Sequence, residues 1–308
     1  MTIDELRPLV QTTEKLLGQG MTPQALSRAT ASGELIRLRP GFYVGRAARG
    51  LGREEKHLLS VLAADMARDS PVFSHASAAL ILGLPSWGLP LRRVAVSAPG
   101  QTSRTRSTRL IKHHTVPLGD DDIIDLSGLR VTGPERTVTD IALTAGRDAA
   151  VAIADASINS GLAGAASLER AVLHSAGRSG VRKARVAMGL VDGRSESVAE
   201  TLSRLTFTDF GLPEPELQAN IVDTHGNRIA RVDFLWREYG VIGECDGFGK
   251  YFDGATPADT RRRLGMEKDR DAELVALGYR VLHWRWADLD QPRFLAERVR
   301  RVLYAAAA

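Results

Sequence analysis

The stretch RVDFLWREYGVIGECDGFGK, residues 231–250, sets three carboxylates and a lysine (Asp233, Glu244, Asp246 and Lys250) inside or just after two apolar runs. Ionised carboxylates in such strands are costly to desolvate unless they are paired, protonated or bound to a cation. A turn over residues 237–240 makes Trp236 face Val241 and sets Asp233 across from Glu244. One face then carries Ala230, Val232, Phe234, Trp236, Val241, Gly243 and Cys245, and the other Arg231, Asp233, Leu235, Ile242, Glu244 and Asp246. A slip of one residue mixes the two faces. A three-residue loop ending at Gly240 is the competing turn, and it breaks the alignment. Carboxylates directly opposed in a sheet have Cβ atoms roughly 4.5–5.5 Å apart and repel each other. They must take up a proton, face open water or recruit a cation. With Asp246 on the same face, a hard divalent cation such as Mg²⁺ is the natural partner. Such an ion polarises a phosphoryl oxygen or generates a bound hydroxide. The plain alternative is a water-facing sheet surface; the Leu235 and Ile242 pair on the acidic face argues against it.

The elements that must position these groups follow one another in the order αβββαβα. Ser195 is the expected N-cap of a helix through AETLSRLTFTDFG, which carries Glu200 and, one turn on, Arg204. Strand-like ELQANIVD, RIARVDFLW and VIGECD come next, then a charged helix, MEKDRDAELVALG. The strand YRVLHWRW and a last helix from about Pro292 to Tyr304 complete the region. The β-α-β step implies a parallel strand pair.

Residues 191–308 resemble the PD-(D/E)XK nuclease superfamily, and within it the very-short-patch repair endonucleases. The likeness rests on ETLSR, RVDFLW, VIGECDG, the tail EKDRDAELVALGYRVLHWRWADL and their spacing. It implies that Asp233 and Glu244 are ligands of Mg²⁺ or Mn²⁺, that Glu200 is a third carboxylate, and that Arg204 pairs with Glu200 or holds a phosphate. Two positions depart from the pattern: Val232 stands where proline is expected, and Asp246 where the motif has lysine. Lys250 and Lys268 are the substitutes. Lys268, Asp271 and Val275 share a helical stripe that can face the sheet, though Glu267 is an equal candidate. The implied catalytic set is therefore Asp233, Glu244, Asp246, Lys250 and Lys268. Convergence of Asp233, Glu244 and a lysine amine separates a cutting domain from one that only binds.

Upstream, residues 21–53 hold six arginines (Arg28, Arg37, Arg39, Arg46, Arg49, Arg53) against one acid, Glu34, a net +5 where the whole chain carries +4. Thr12 or Thr13 caps one expected helix, and Thr22 with Pro23 opens a second that Gly33 ends. Pro40-Gly41 then turns a basic hairpin. Helix, turn, helix and basic hairpin is the order of a winged helix-turn-helix over residues 1–53. In it Arg28, Arg37, Arg39 and Arg46 are the candidate DNA contacts. Residues 54–190 read as a mixed α/β region without a catalytic constellation. There His75, His113 and His114 lack ligand spacing and are expected at the surface or as caps, and Asp120, Asp121 and Asp122 form a solvated loop. The run from LSRATASGELIRLRPGFYV through SHASAALILGL to GLRVTGPERTVTDIA resembles the AbiEi family of DNA-binding antitoxins and regulators, over roughly residues 1–170. The chain departs from that family in continuing well beyond it.

At 308 residues, 44% hydrophobic and 25% charged, the chain suits several globular domains. Its one cysteine, Cys245, excludes an internal disulfide framework and a cysteine-rich zinc site. No apolar stretch suggests a membrane span or signal core, so a cytoplasmic protein without membrane association is expected. The expected fold is α/β and multidomain: winged helix, mixed α/β middle, restriction-endonuclease-like C-terminus. The expected function is that of a Mg²⁺- or Mn²⁺-dependent DNA endonuclease in defence, toxin-antitoxin or repair work. The alternative is an AbiEi-type regulator with an inactive nuclease-like domain. DNA is the expected partner, with a homodimer or a cognate toxin or antitoxin as the protein partner.

Overall fold

The computed structural model describes residues 1–67, 71–97, 107–115, 117–223, 225–246 and 257–305, except for the side chains of 257–261, 263–265 and 267. Lys250 lies outside the described residues. The chain is a mixed α/β protein that divides into two compact units, Met1–Ile153 with Gly161–Met188, and Ala154–Ser160 with Gly189–Ala308. Among the described residues no helix is long and apolar enough to cross a membrane.

The first unit opens with α1 (Ile3–Leu6), β1 (Gln11–Thr12), α2 (Thr13–Gly18), α3 (Pro23–Ser32), β2 (Leu35–Arg39) and β3 (Phe42–Gly45). Local chemistry sets these bounds. The Thr12 and Thr22 hydroxyls accept the Lys15 and Ala25 N–H groups at 3.1 and 3.2 Å, and Gly33 ends α3 at φ 74°, where a side chain is strained. Leu16, Leu26, Ala29, Leu35 and Tyr43 pack the two helices against a small sheet ordered β1-β3-β2. Next come α4 (Arg53–Asp65), β4 (Val72–Phe73), α5 (His75–Ile81), β5 (Val94–Ser97), β6 (Ile111–His114), β7 (Ile123–Leu126) and β8 (Leu129–Thr132). After them run α6 (Pro134–Thr144), α7 (Arg147–Asn159), α8 (Ala165–His174) and α9 (Val181–Met188). The five strands form a mixed sheet, β6-β5-β4-β8-β7, with β5/β6 and β4/β8 parallel.

In the second unit α10 (Val198–Asp209) precedes β9 (Glu216–Val222), β10 (Arg228–Trp236) and β11 (Val241–Asp246). Then come α11 (Pro257–Ala276), β12 (Arg280–Arg285), a short α12 (Trp286–Leu289) and α13 (Pro292–Tyr304). The N-cap of α10 is Ser197 rather than the expected Ser195; its hydroxyl accepts the Glu200 N–H. The sheet is ordered β12-β11-β10-β9, and the β11/β12 pair is parallel. Trp236 pairs with Val241, Leu235 with Ile242 and Phe234 with Gly243, the expected register, around a turn that Gly240 closes at φ 57°.

Two apolar clusters cover the two faces of this sheet. Phe234, Trp236, Val241, Cys245 and Trp284 pack with Phe207 of α10 and with Leu295 and Val299 of α13. Leu235 and Ile242 pack with Leu274 of α11. Ala230 and Val232 join this second cluster, not the first, so the expected face assignment fails there. Strict alternation along β10 stops because Gln218, beside it on β9, has φ 53° and no ladder pair joins it to Asp233.

Candidate active site

A buried carboxylate fixes the helix that presents Glu200. Asp155, 1% exposed, accepts hydrogen bonds from the Thr201 hydroxyl (2.8 Å), Arg204 Nη2 (2.8 Å) and the Asp192 N–H (2.7 Å). Arg204 Nη1 also donates to the Leu190 carbonyl at 2.6 Å. Burial raises the Asp155 carboxyl above the usual range even with the guanidinium beside it. Arg204, expected at Glu200 or at a phosphate, is therefore a buried tie on α10 whose two Nη groups are bonded inside the fold. Trp284 Nε1 donates to the Ser203 hydroxyl at 2.8 Å and ties the same helix to β12.

Glu200 is buried and well supplied with donors. Its carboxylate accepts from the Ser197 hydroxyl (2.7 Å), the Glu196 N–H (2.9 Å) and Gln218 Nε2 (2.7 Å). The same Gln218 nitrogen stands 3.5 Å from Asp233 Oδ1, so one amide spans the two acids. Burial, with the charge of Asp233 as a further cause, pushes the Glu200 carboxyl up. Asp233 does not pair across the ladder with Glu244. The last pair is Phe234 with Gly243, and beyond it Asp233 Oδ2 accepts the Cys245 N–H at 2.9 Å. A side chain has taken a backbone donor, and the two strands part at the acids.

Glu244, 7% exposed, accepts from Arg270 Nη2 of α11 at 3.1 Å. The parallel register sets Glu244 beside His283 of β12. His283 Nε2 lies 2.9 Å from Asp271 Oδ2, and its Nδ1 lies 3.6 Å from Asp246 Oδ1. The stripe of α11 turned to the sheet is thus Arg270, Asp271 and Leu274, not Lys268, Asp271 and Val275. Lys268 is exposed and Val275 is 59% exposed, because buried Leu274 sets the phase of the helix. The Glu267 side chain, like Lys250, lies outside the described residues.

Gln218, Arg270 and His283 were not among the residues expected here, whereas Asp271 was expected on the side of its helix that faces the sheet. A readable signal existed for His283: it is the polar residue between Leu282 and Trp284, which alternation sends to the face of Glu244 once a parallel β11/β12 pair is assumed. The neighbourhood is strongly anionic. The Cys245 thiol is pushed up to about 12, by burial first and also by the charges of Asp233, Glu200 and Asp246. Carboxylates are hard oxygen donors. Among the described residues no three His, Cys, Asp or Glu side chains are grouped closely enough to hold a metal ion by themselves. Mg²⁺ takes one or two protein carboxylates and completes its shell with water and substrate phosphate, so an Asp233 and Glu244 pair matches its chemistry.

In the first unit Arg28 of α3, Arg37 of β2 and Arg46 after β3 are exposed, whereas Arg39 is half-buried with its guanidinium 5.8 Å from the centre of the Phe42 ring. His75, expected at the surface or as a cap, is 6% exposed and stacks on His114 with ring centres 3.4 Å apart.

Fold and site together define a multidomain α/β protein whose second unit gathers carboxylates at one end of a four-stranded sheet. The chain belongs to the family of two proteins of Mycobacterium tuberculosis, the uncharacterized protein MT2308 of strain CDC 1551 / Oshkosh and the uncharacterized protein Rv2248 of strain H37Rv. It is 32% identical to each over 286 residues, 92% of this chain and 97% of the relative. No family model matches the chain. The crystal structure of the RV2827C protein from the same species is similar at a TM-score of 0.39 and 20% identity, covering 61% of this chain and 74% of that one.

Proposed function

We propose that the protein is a divalent-metal-dependent DNA endonuclease, with its second unit a PD-(D/E)XK domain similar to very-short-patch repair enzymes and residues 1–53 an AbiEi-like winged helix that holds DNA. The observation that carries this reading is the meeting of Glu200 and Asp233 on one Gln218 amide next to the Glu244, Arg270, Asp246 and His283 set. Asp233 and Glu244 would hold Mg²⁺ or Mn²⁺, with Glu200 as a further carboxylate. When bound, the metal supplies Lewis-acid polarisation of the scissile phosphate and a more acidic water. The chain supplies the rest. His283, with Nε2 on Asp271 and Nδ1 toward Asp246, would serve as a proton acceptor through Nδ1. Arg270 offers a planar guanidinium suited to a phosphate once its hold on Glu244 is exchanged. Between them they take the work that the motif's lysine does elsewhere. Exposed Arg28, Arg37 and Arg46 are the DNA contacts of the first unit, with half-buried Arg39 a supporting one.

One observation favours a second reading, an AbiEi-type regulator with an inactive nuclease-like domain. Lys268 is exposed, and Arg270 donates to Glu244. Incubating the protein with supercoiled plasmid and with short duplex and single-stranded DNA, under Mg²⁺, Mn²⁺ or chelator, separates the two. Metal-dependent cutting should fall on the order of 10²–10³-fold in Asp233→Ala and in Glu244→Ala. DNA that is bound but uncut under every metal would sink the enzyme reading and leave the regulator.

A further inference from the structure

The first unit contains a cavity of about 470 Å³ that the nuclease reading does not use. Its polar wall is built by His75, Arg92, Arg93, Arg109, Lys112 and His114. The fold brings these together from separate places. β6 is the edge of its sheet, and alternation puts Lys112 and His114 on one face, with small Ala95 of β5 as the register partner of Lys112. His75 starts α5 from the left-handed region, at φ 49°, where a branchless backbone is normally needed. Ser74 holds it there: its Oγ lies 3.0 Å from His75 Nδ1 and accepts the Ser97 hydroxyl at 2.9 Å. A strained, buried histidine kept in place by two buried serines is a feature that a purely structural wall does not require.

The cationic wall is uncompensated. Among the described residues no carboxylate lines the cavity, and none of Arg92, Arg93, Arg109 and Lys112 is in an ion pair. Asp140, which does not line the cavity, is fully buried and bridged by Arg136 at 2.9 Å and Arg178 at 2.6 Å. His75 is held down to about 2 by burial and then by His114, Lys112, Arg178 and Arg136, and His114 is held down to about 4 by burial and then by Lys112, with the Asp140 carboxylate acting the other way. The lining also includes the apolar residues Leu89, Pro90 and Ile141.

We propose that this cavity is a binding site for a small phosphate-bearing molecule of mononucleotide size. Guanidinium and ammonium donors in this number suit a dianionic phosphate, which accepts several charge-assisted hydrogen bonds at once. The apolar residues take an uncharged planar group, and the volume falls in the range of small-molecule sites, about 300–1,000 Å³. A concave site of this size admits a terminal phosphomonoester more readily than the backbone of a duplex.

Calorimetric titration of the full chain with AMP, GMP, CMP and dTMP, with inorganic phosphate and with adenosine tests this. A mononucleotide should bind, adenosine should not, and Arg93→Gln and Lys112→Gln should each weaken binding about tenfold. The His75 and His114 C2 proton resonances should shift on saturation, a readout that works even where heats are small. Binding of inorganic phosphate alone would keep the anion site and overturn its mononucleotide size. The proposal falls if neither phosphate nor any mononucleotide gives heat or a shift with folded protein, if both substitutions leave affinity unchanged, or if only duplex DNA protects the site.

Discussion

In the first unit a cavity gathers Arg92, Arg93, Arg109 and Lys112 with no carboxylate among its described lining residues, while in the second unit Glu200, Asp233, Glu244 and Asp246 share Gln218, Arg270 and His283. Each unit also holds a buried acid of another kind. Asp140 sits between Arg136 and Arg178, and Asp155 receives Arg204, Thr201 and the Asp192 N–H. The difference separates two uses of charge. A buried charge whose partners all come from the chain is part of the fold, because breaking it leaves an uncompensated ion. An excess of one sign on a half-open wall is a fold held at some cost for something that arrives later.

The most damaging way to break that distinction is to remove a partner from a compensated pair. Arg204→Ala leaves the Asp155 carboxylate buried with no cation and should cost about 3–5 kcal/mol in urea unfolding of the second unit. Replacing both residues by apolar ones of similar size, Asp155→Leu with Arg204→Met, should recover most of that loss. If Arg204→Ala folds normally and loses only DNA affinity, Arg204 belongs with the functional charges instead.

Second in size is a packing test beside the acids. A Cβ on Gly243 would lie 2.6 Å from one Trp284 ring atom and 3.0 Å from Trp236, and both rings are buried. Neither can retreat, so Gly243→Ala should destabilise by about 1–3 kcal/mol. It should also displace the Phe234 to Gly243 pair, from which the two strands part at Asp233. A cleavage rate that falls while Tm holds would show that the acids feel this contact more than the core does.

Acid should act with opposite signs on the buried histidines of the first unit and on Asp155 and Glu200 of the second. His75 and His114 are depressed to about 2 and about 4, so the unfolded chain takes up protons that the folded first unit refuses. Their stability contribution is complete above the ordinary histidine value of 6.5 and is lost as pH falls below it. For His75 alone this reaches on the order of 2 kcal/mol at pH 5. Asp155 and Glu200 are raised, so in the second unit they favour the folded state more as pH drops toward their folded values. Hydrogen exchange at pH 7 and pH 5 should therefore show α5 and β6 losing protection before α10 does. Saturating mononucleotide should shrink the acid loss in α5 and β6 if the cavity is an anion site.

How far all this could be read in advance depended on whether the deciding contact was local. Thr22, Pro23 and Gly33 bound α3 because caps act within one turn, and Trp236 fell opposite Val241 because alternating apolar residues permit a single register there. The same alternation misled at Ala230 and Val232, where Gln218 leaves the extended region and no periodic pattern records it. Asp233 left the ladder for the Cys245 N–H, a choice made by a bond twelve residues away in sequence. The phase of α11 differs from the expected one because charged residues crowd the helix and, among its described side chains, only Leu274 is buried. His75 and His114 looked solitary because only the parallel β5/β6 pair brings them to stacking distance.

The smallest effect bears on the exposed arginines, which are the surface counterpart of the cavity's cations. Arg37 and Arg46 are exposed, whereas Arg39 has its guanidinium over Phe42. A residue that only neutralises a phosphate releases about one counterion, so each of Arg37→Ala and Arg46→Ala should reduce the slope of log K for duplex binding against log salt by about 1. Arg39→Ala should change that slope less and lower Tm more, since its stem and guanidinium pack on an aromatic ring. Equal slopes for all three would place Arg39 at the DNA as well. An unchanged slope for Arg37 and Arg46 would remove the hairpin from the DNA contact altogether.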